Sequence, residues 1–318
     1  MVKNNIVFFL IACLAVAYAA MHLSFVLALP PASIDTALNT AFKVQLSLTE
    51  GKGAASPDWQ SRILFPYLVK LTNVLVKGPA AVLFIDEAIC AFFSFLFFFL
   101  LAKKMLGSDK AAGLAVIIFL AYLPFVFQFP LHYGVILMLG FFCFPIYLLL
   151  EGKNTAYPWA VALASLQRPD LALATVFFKA LKDWPEKRLK GLWLNGLIML
   201  IPIVVCYFIS FCFRLNYQAL YFNQMLARLI YNLSPLNLAF VFASFLPLSL
   251  LAIFYFREFD QTIKIAILSL LPYIVMVFLF GNFQEPRLFY PLIAMIAIAI
   301  AKKYYLFLTG KSVQELKV

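Results

Sequence analysis

Long apolar runs separated by short polar breaks dominate the chain, and their lengths set the first expectations. Ile6 to Leu29, Pro79 to Ala102, Ala111 to Phe129, His132 to Leu150, Leu192 to Phe213, Leu236 to Phe256, Thr262 to Gly281 and Leu288 to Ala301 each read as a membrane-crossing helix. Two runs read differently. Ile63 to Val76 is short and interrupted by Pro66, Lys70 and Asn73, which predicts an interfacial helix with Lys70 and Lys77 at the headgroups. Tyr157 to Phe178 is split by Gln167-Arg168-Pro169-Asp170 into halves that each reach only about 15 Å, half of a hydrocarbon layer of about 30 Å. Irregular backbone at membrane depth must line a protein-walled cavity, so this stretch predicts a broken or re-entrant segment. The expected fold is an all-α polytopic transmembrane bundle of eight spans plus one re-entrant pair, in a single membrane domain over residues 1–318.

Composition strengthens this expectation. Hydrophobic residues make up 65% of the chain and charged residues 12%, a balance no soluble core would accommodate. The net charge of +11 would suggest a nucleic-acid partner in a soluble protein, but here the Lys and Arg cluster in short breaks between spans, where they set orientation and meet anionic lipid; no nucleic acid is expected. The five cysteines are odd in number, lie in apolar runs and lack metal-ligand spacing, which predicts buried structural thiols. His22 and His132 are too few and too far apart for a histidine metal site, and no cofactor is expected. The first run exceeds a signal-peptide core and ends in Pro30-Pro31-Ala32-Ser33, so it reads as a first span.

Charge asymmetry orients the bundle. With a cytoplasmic N-terminus and a re-entrant Tyr157 segment, sixteen of the 25 Lys and Arg fall on the cytoplasmic side. The basic stretch from Lys179 to Gly191 reads as one of those inner loops. A bacterial inner membrane is the expected location. The outer face then receives the polar segment from Pro30 to Pro66, with Asp35, Asp58, Trp59 and Arg62, together with His132, Tyr133, the 214–235 loop and a turn carrying Glu285 and Arg287. Arg168 and Asp170 approach it from below. Charges within or beside spans are costly enough to mark a site or pathway, and both signs are present.

Three short motifs sharpen this picture. Asp35 after the first span, an amphipathic helix, a small-residue turn at Gly51 to Gly53 and then Ser61-Arg62-Ile63-Leu64-Phe65-Pro66 resemble the first extracytoplasmic loop of the C-type (GT-C) membrane glycosyltransferases. Ala162 to Ala174, around Gln167-Arg168-Pro169-Asp170, is similar to a middle-segment Arg-Pro signature of that superfamily, and Asn282 to Ala294, around Glu285-Pro286-Arg287, is similar to its late turn. The resemblance implies transfer of a sugar from a polyprenyl-phosphate donor to a glycan, glycolipid or protein acceptor on the outer side. The chain departs from many members in lacking a second acidic residue beside Asp35 and a large soluble domain, so a membrane partner subunit that recognises the acceptor is a further expectation.

The chemistry suits these residue types. Sugar transfer needs a base for the acceptor hydroxyl, for which Asp35 is the first candidate and Asp58 the second. The departing lipid phosphate develops charge that a guanidinium stabilises through forked hydrogen bonds, which makes Arg62, Arg168 and Arg287 candidates. Asp170, Glu285 and His132 would contribute polar contacts to the substrate, and Trp59, Tyr67 and Tyr133 faces on which sugars stack.

Plainer roles stand beside each of these. Asp35 also fits the dipole-favoured first turn of a helix from Ile34 to Leu48, and Asp58 a solvated turn. Arg62 also fits an interfacial anchor, Asp170 a local counter-charge for Arg168, and Glu285 with Arg287 a turn ion pair. Asp86 and Glu87 lie about 10 Å along the span that starts at Pro79, where they would contact a cavity or pair with Lys70 or Lys77. Asn232-Leu233-Ser234 is a weak glycosylation signal because Pro235 follows, and Phe97 to Phe99 read as lipid-facing filler. The competing function is a transporter or flippase with its site at the Gln167 to Asp170 break, although no second interruption repeats that break elsewhere in the chain.

Overall fold

A computed structural model describes residues 2–28, 31–49, 64–126, 134–212, 221–239, 250, 253–280 and 286–309. Helices account for nearly all of this, and no strand occurs among the described residues. In chain order they are α1 (Val2–Leu27), α2 (Pro31–Thr49), α3 (Leu64–Leu75), α4 (Pro79–Leu106), α5 (Asp109–Val126), α6 (Leu137–Leu150), α7 (Tyr157–Gln167), α8 (Pro169–Cys212), α9 (Tyr221–Asn232), α10 (Gln261–Ser269), α11 (Leu271–Phe280) and α12 (Tyr290–Thr309). Four stretches are long and apolar enough to cross a membrane: Asn5–Ser24, Pro79–Leu106, Gln261–Leu279 and Tyr290–Thr309. Shorter apolar helices accompany them, and the protein is accordingly treated as a multi-pass membrane protein.

Helix α4 is the axis of the bundle, packing against α1, α5 and α6 and also touching α2, α3 and α12. Its limits are written locally. Pro79 occupies the first turn, Gly107 adopts φ +65° to cap the other end, and Lys103 and Lys104 meet the negative end of the helix dipole. The buried face of α4 includes Phe95, Phe98 and Phe99, so the phenylalanine run is not lipid-facing filler. Phe98 meets Phe119 of α5 at a centroid distance of 5.3 Å, and Phe119 meets Tyr290 of α12 at 5.9 Å. A central helix has no lipid side at these positions, and the rings fill the space between neighbours. Ala294, Ala297, Ala299 and Ala301 are buried along α12, where small side chains allow close helix approach. Of the cysteines, Cys90 and Cys143 are buried as expected, but Cys13 is exposed on the outer side of α1.

Ion pairs gather the basic breaks at common ends. Lys104 of α4 pairs with Glu151 at 2.9 Å, joining the α4–α5 turn to the α6–α7 turn, and Lys103 pairs with Asp109 at 2.8 Å. Lys302 bonds Asp260, and Lys303 reaches Glu258 at 3.1 Å, joining the end of α12 to the start of α10.

Two elements differ from the sequence expectation. Helix α6 begins only at Leu137 and has 14 residues, about 21 Å long, because an irregular turn at 134–136 takes the place of its first turn. The stretch from Lys179 to Gly191 is not a loop: α8 continues through it from Pro169 to Cys212. Lys179 and Asp183, four residues apart on that helix, are bonded, an arrangement that supports helical continuation. The run from Leu236 to Phe256 lies mostly outside the described residues.

Candidate functional site

The break at Gln167 to Asp170 has a local cause. A residue before proline is excluded from helical geometry, and Arg168 is extended, with φ −153° and ψ 94°. Pro169 then opens α8 from the position where a missing N–H costs nothing. The two helices fold back on each other. Tyr157 donates its hydroxyl to the Thr175 carbonyl at 2.8 Å, whereas one continuous helix would separate those residues by about 27 Å.

Arg168 sits at the tip of this fold-back and is buried. Its Nε donates to Asp170 Oδ1 at 2.9 Å and its Nη2 to Asp170 Oδ2 at 2.5 Å, a forked pair that fixes the guanidinium plane. Nη1 turns toward Met138 Sδ at 3.8 Å, and the guanidinium lies 5.5 Å from the centre of the Tyr273 ring. Tyr273 in turn donates its hydroxyl to the Leu288 carbonyl at 2.7 Å, within the short turn Pro286–Phe289 that includes Arg287. The structure therefore brings Arg168 and Asp170 together and ties them, through Tyr273, to the backbone of the late motif. Asp170 is the local counter-charge of Arg168.

A second polar cluster lies on the other side of the α6 approach. Glu87 of α4 accepts the Gly134 N–H at 2.6 Å on one oxygen, and its other oxygen is 3.2 Å from His22 Nδ1 of α1. Seven residues further along α4, Ser94 donates to the Ile136 carbonyl at 2.8 Å. One face of α4 thus satisfies both ends of the irregular turn at 134–136, which no regular helix would do in a dry interior. Gly134 itself has φ +73°, and Phe65 fills the space a side chain there would need. Asp86, fully buried, accepts from Thr72 of α3 at 2.5 Å on Oδ1, while its Oδ2 has no partner.

The roles expected for Asp86 and Glu87 are a cavity contact or a pairing with Lys70 or Lys77; the observed partners are instead Thr72, His22 and Gly134, and Lys77 points at the Asn73 carbonyl at 3.5 Å. Lys70 lies with Tyr67, Leu71, Val74 and Leu75 on the exposed side of α3, and Phe65, Pro66, Val69 and Thr72 form its buried side, so Thr72 is on the face that meets α4. Gly134 and Met138 are four residues apart in the chain, so the segment that Glu87 holds through Gly134 also presents Met138 to Arg168.

Asp35 lies inside α2, one turn beyond its start at Pro31, so it is not in a first helical turn. Asp35 and Arg287 are described in backbone only, and Asp58, Trp59, Arg62, His132, Tyr133 and Glu285 lie outside the described residues. Asn232 is buried, with its amide donating to the Phe278 carbonyl at 2.7 Å, so that nitrogen is engaged inside the fold. Sequence reasoning did not find the roles of His22, Gln167, Met138 and Tyr273. Gln167 had one available signal, a polar residue directly before the break; the others are ordinary residues of apolar runs.

Among the described residues no group of His, Cys, Asp and Glu is arranged to hold a metal ion. The chain matches no protein-family model, no curated protein and no solved structure.

Proposed function

We propose that this chain is an integral membrane glycosyltransferase that moves a sugar from a polyprenyl-phosphate donor to an acceptor hydroxyl on the outer side of the membrane. The observation that carries the proposal is the buried guanidinium of Arg168, anchored at a helix break by Asp170, in a fold that also buries the carboxylates of Asp86 and Glu87. Phosphate recognition needs a held guanidinium of this kind in a site with little water, and proton abstraction needs a carboxylate.

In this scheme the acceptor hydroxyl attacks the anomeric carbon, its proton passes to Asp35, and polyprenyl phosphate leaves. Arg168 meets the leaving phosphate through its guanidinium, whose Nη1 exchanges the weak Met138 Sδ contact for a phosphate oxygen. Arg62 and Arg287 complete the phosphate contacts, and Trp59 and Tyr133 stack on the sugar. The site faces outward because the opposite end of the bundle has most of the basic residues. The bacterial inner membrane, the N-terminus inside, the eight spans and the re-entrant course of α7 with the start of α8 belong to the same proposal.

The test is turnover of polyprenyl-phosphate sugars by the purified wild type and Asp35→Asn, with donor binding measured in parallel. Loss of a positioned base lowers polyprenyl phosphate release about 100-fold or more while donor still binds. Full activity in the variant removes Asp35 and moves the base to Asp58. The fold-back at Arg168 also favours a second reading, a transporter whose substrate sits at the broken helix. Absence of donor binding by the wild type, with uptake of an anionic substrate into proteoliposomes, would establish that reading in place of the first.

A further inference from the structure

Gln167 is the last residue of α7 and stands at the tip of the fold-back, next to Arg168. It is only 2% exposed, and its side-chain oxygen Oε1 has no hydrogen-bond partner. Buried side-chain amides normally find partners, and one left without is a cost the fold carries for a reason outside its own packing. The neighbouring polar groups show that this neighbourhood can satisfy itself: Arg168 is held by Asp170, Tyr157 by the Thr175 carbonyl, and Ser165 by the Val161 carbonyl at 2.7 Å. Gln167 stands out against that background. An unpartnered acceptor on the residue next to a buried arginine in the chain matches a ligand that carries a hydroxyl donor close to an anionic group, the chemistry of a sugar joined to phosphate.

We infer that Gln167 is a sugar-reading residue, whose Oε1 accepts a hydrogen bond from a hydroxyl of the ligand while the adjacent Arg168 meets its phosphate. This inference rests on the glycosyltransferase reading and adds to it the residue that separates a sugar-bearing lipid phosphate from a bare one.

The experiment compares polyprenyl-phosphate sugar with polyprenyl phosphate as ligands of the purified full chain in detergent, for the wild type and for Gln167→Met, which keeps length without the amide. Thermal unfolding of the ligand-free proteins is followed alongside. The expected result is that Gln167→Met weakens the sugar-bearing ligand about tenfold, the effect of one lost hydrogen bond, leaves bare polyprenyl phosphate unchanged, and unfolds at the same or a higher temperature. Gln167→Asn, which withdraws the amide by one methylene, gives the same selective loss and serves if Gln167→Met cannot be recovered.

Equal affinity of wild type and variant for the sugar-bearing ligand would overturn the inference while leaving the glycosyltransferase reading intact. So would weaker binding of both ligands with a lower unfolding temperature, which marks a structural glutamine. Failure of the wild type to bind either ligand would overturn the reading and the inference together.

Discussion

Replacing Glu87 by leucine tests whether α4 holds the irregular turn before α6. In the wild type one carboxylate oxygen takes the Gly134 N–H at 2.6 Å and the other lies 3.2 Å from His22 Nδ1, with both side chains fully buried. Leucine has similar bulk but removes both acceptors. Each buried group left without a partner costs about 1–3 kcal/mol, so the two together cost about 2–6 kcal/mol. Burying an apolar side chain in place of a carboxyl offsets part of this, and the lower half of the range, about 2–4 kcal/mol, is the expected loss. Glu87→Gln separates the contributions. Its carbonyl can keep the Gly134 N–H, so only the His22 contact changes and the loss should stay below about 1.5 kcal/mol. Unfolding of the purified protein by denaturant in mixed micelles gives both values. A Glu87→Leu protein within about 1 kcal/mol of wild type would refute the idea that this carboxylate closes the turn, because two orphaned buried groups cannot be that cheap.

Other consequences are as direct. Gly134→Ala combines a positive φ, which costs about 1–2 kcal/mol for a residue with a Cβ, with a collision against the Phe65 ring; a loss of about 2–4 kcal/mol in the same unfolding assay is expected, and Phe65→Ala in the same chain should recover part of it. Arg168→Met takes the counter-charge from Asp170, whose side chain is 21% exposed and still accepts the Leu171 N–H, and should cost about 1–3 kcal/mol; adding Asp170→Asn should relieve the variant, a coupling that a double-mutant cycle measures. The hydrogen bond from Lys104 holds the Glu151 carboxyl below its usual range, so this pair stabilises the folded state above the unfolded-state value of about 4.3 and the contribution is lost as pH falls through the lower folded-state value. Lys104→Met should therefore differ from wild type at neutral pH and converge with it in acid, as followed by thermal unfolding across that range.

How much was legible in the sequence depends on the distance over which the determining interactions act. The Gln167 to Asp170 break could be read because Pro169 excludes helix at the residue before it, a clash between neighbours that needs no tertiary context. The limits of α4 were legible for the same reason, since Pro79, the terminal lysines and Gly107 act within a turn. Run length picked out the four helices long and apolar enough to cross a membrane, because hydrocarbon thickness imposes one length on all of them. The basic stretch after Lys179 misled because charge marks contact with water or headgroups and leaves backbone conformation open, so a charged stretch may continue a helix.

The candidate site was legible only in part. Arg168 with Asp170 was accessible because two residues separate them, and their pairing stood among the alternatives. Asp86 and Glu87 stood out as carboxylates in an apolar run, but the sequence offered only a cavity contact or a nearby lysine, Lys70 or Lys77, whereas the partners chosen were Thr72, His22 and Gly134.

By itself, then, the sequence determined an all-helical membrane chain, the limits of α4, and the presence of a break with a buried charge, all consequences of local sterics and of apolar length. Only the tertiary structure decided that α1, α4 and α6 meet at Glu87, that the break folds back through Tyr157 and Thr175, that Arg168 lies against Tyr273, and that Gln167 and Asp86 each keep an oxygen unsatisfied. The physical reason is that hydrophobicity drives helices together without direction, and which polar atoms then face one another is set by the rotation and depth at which side chains from distant helices pack.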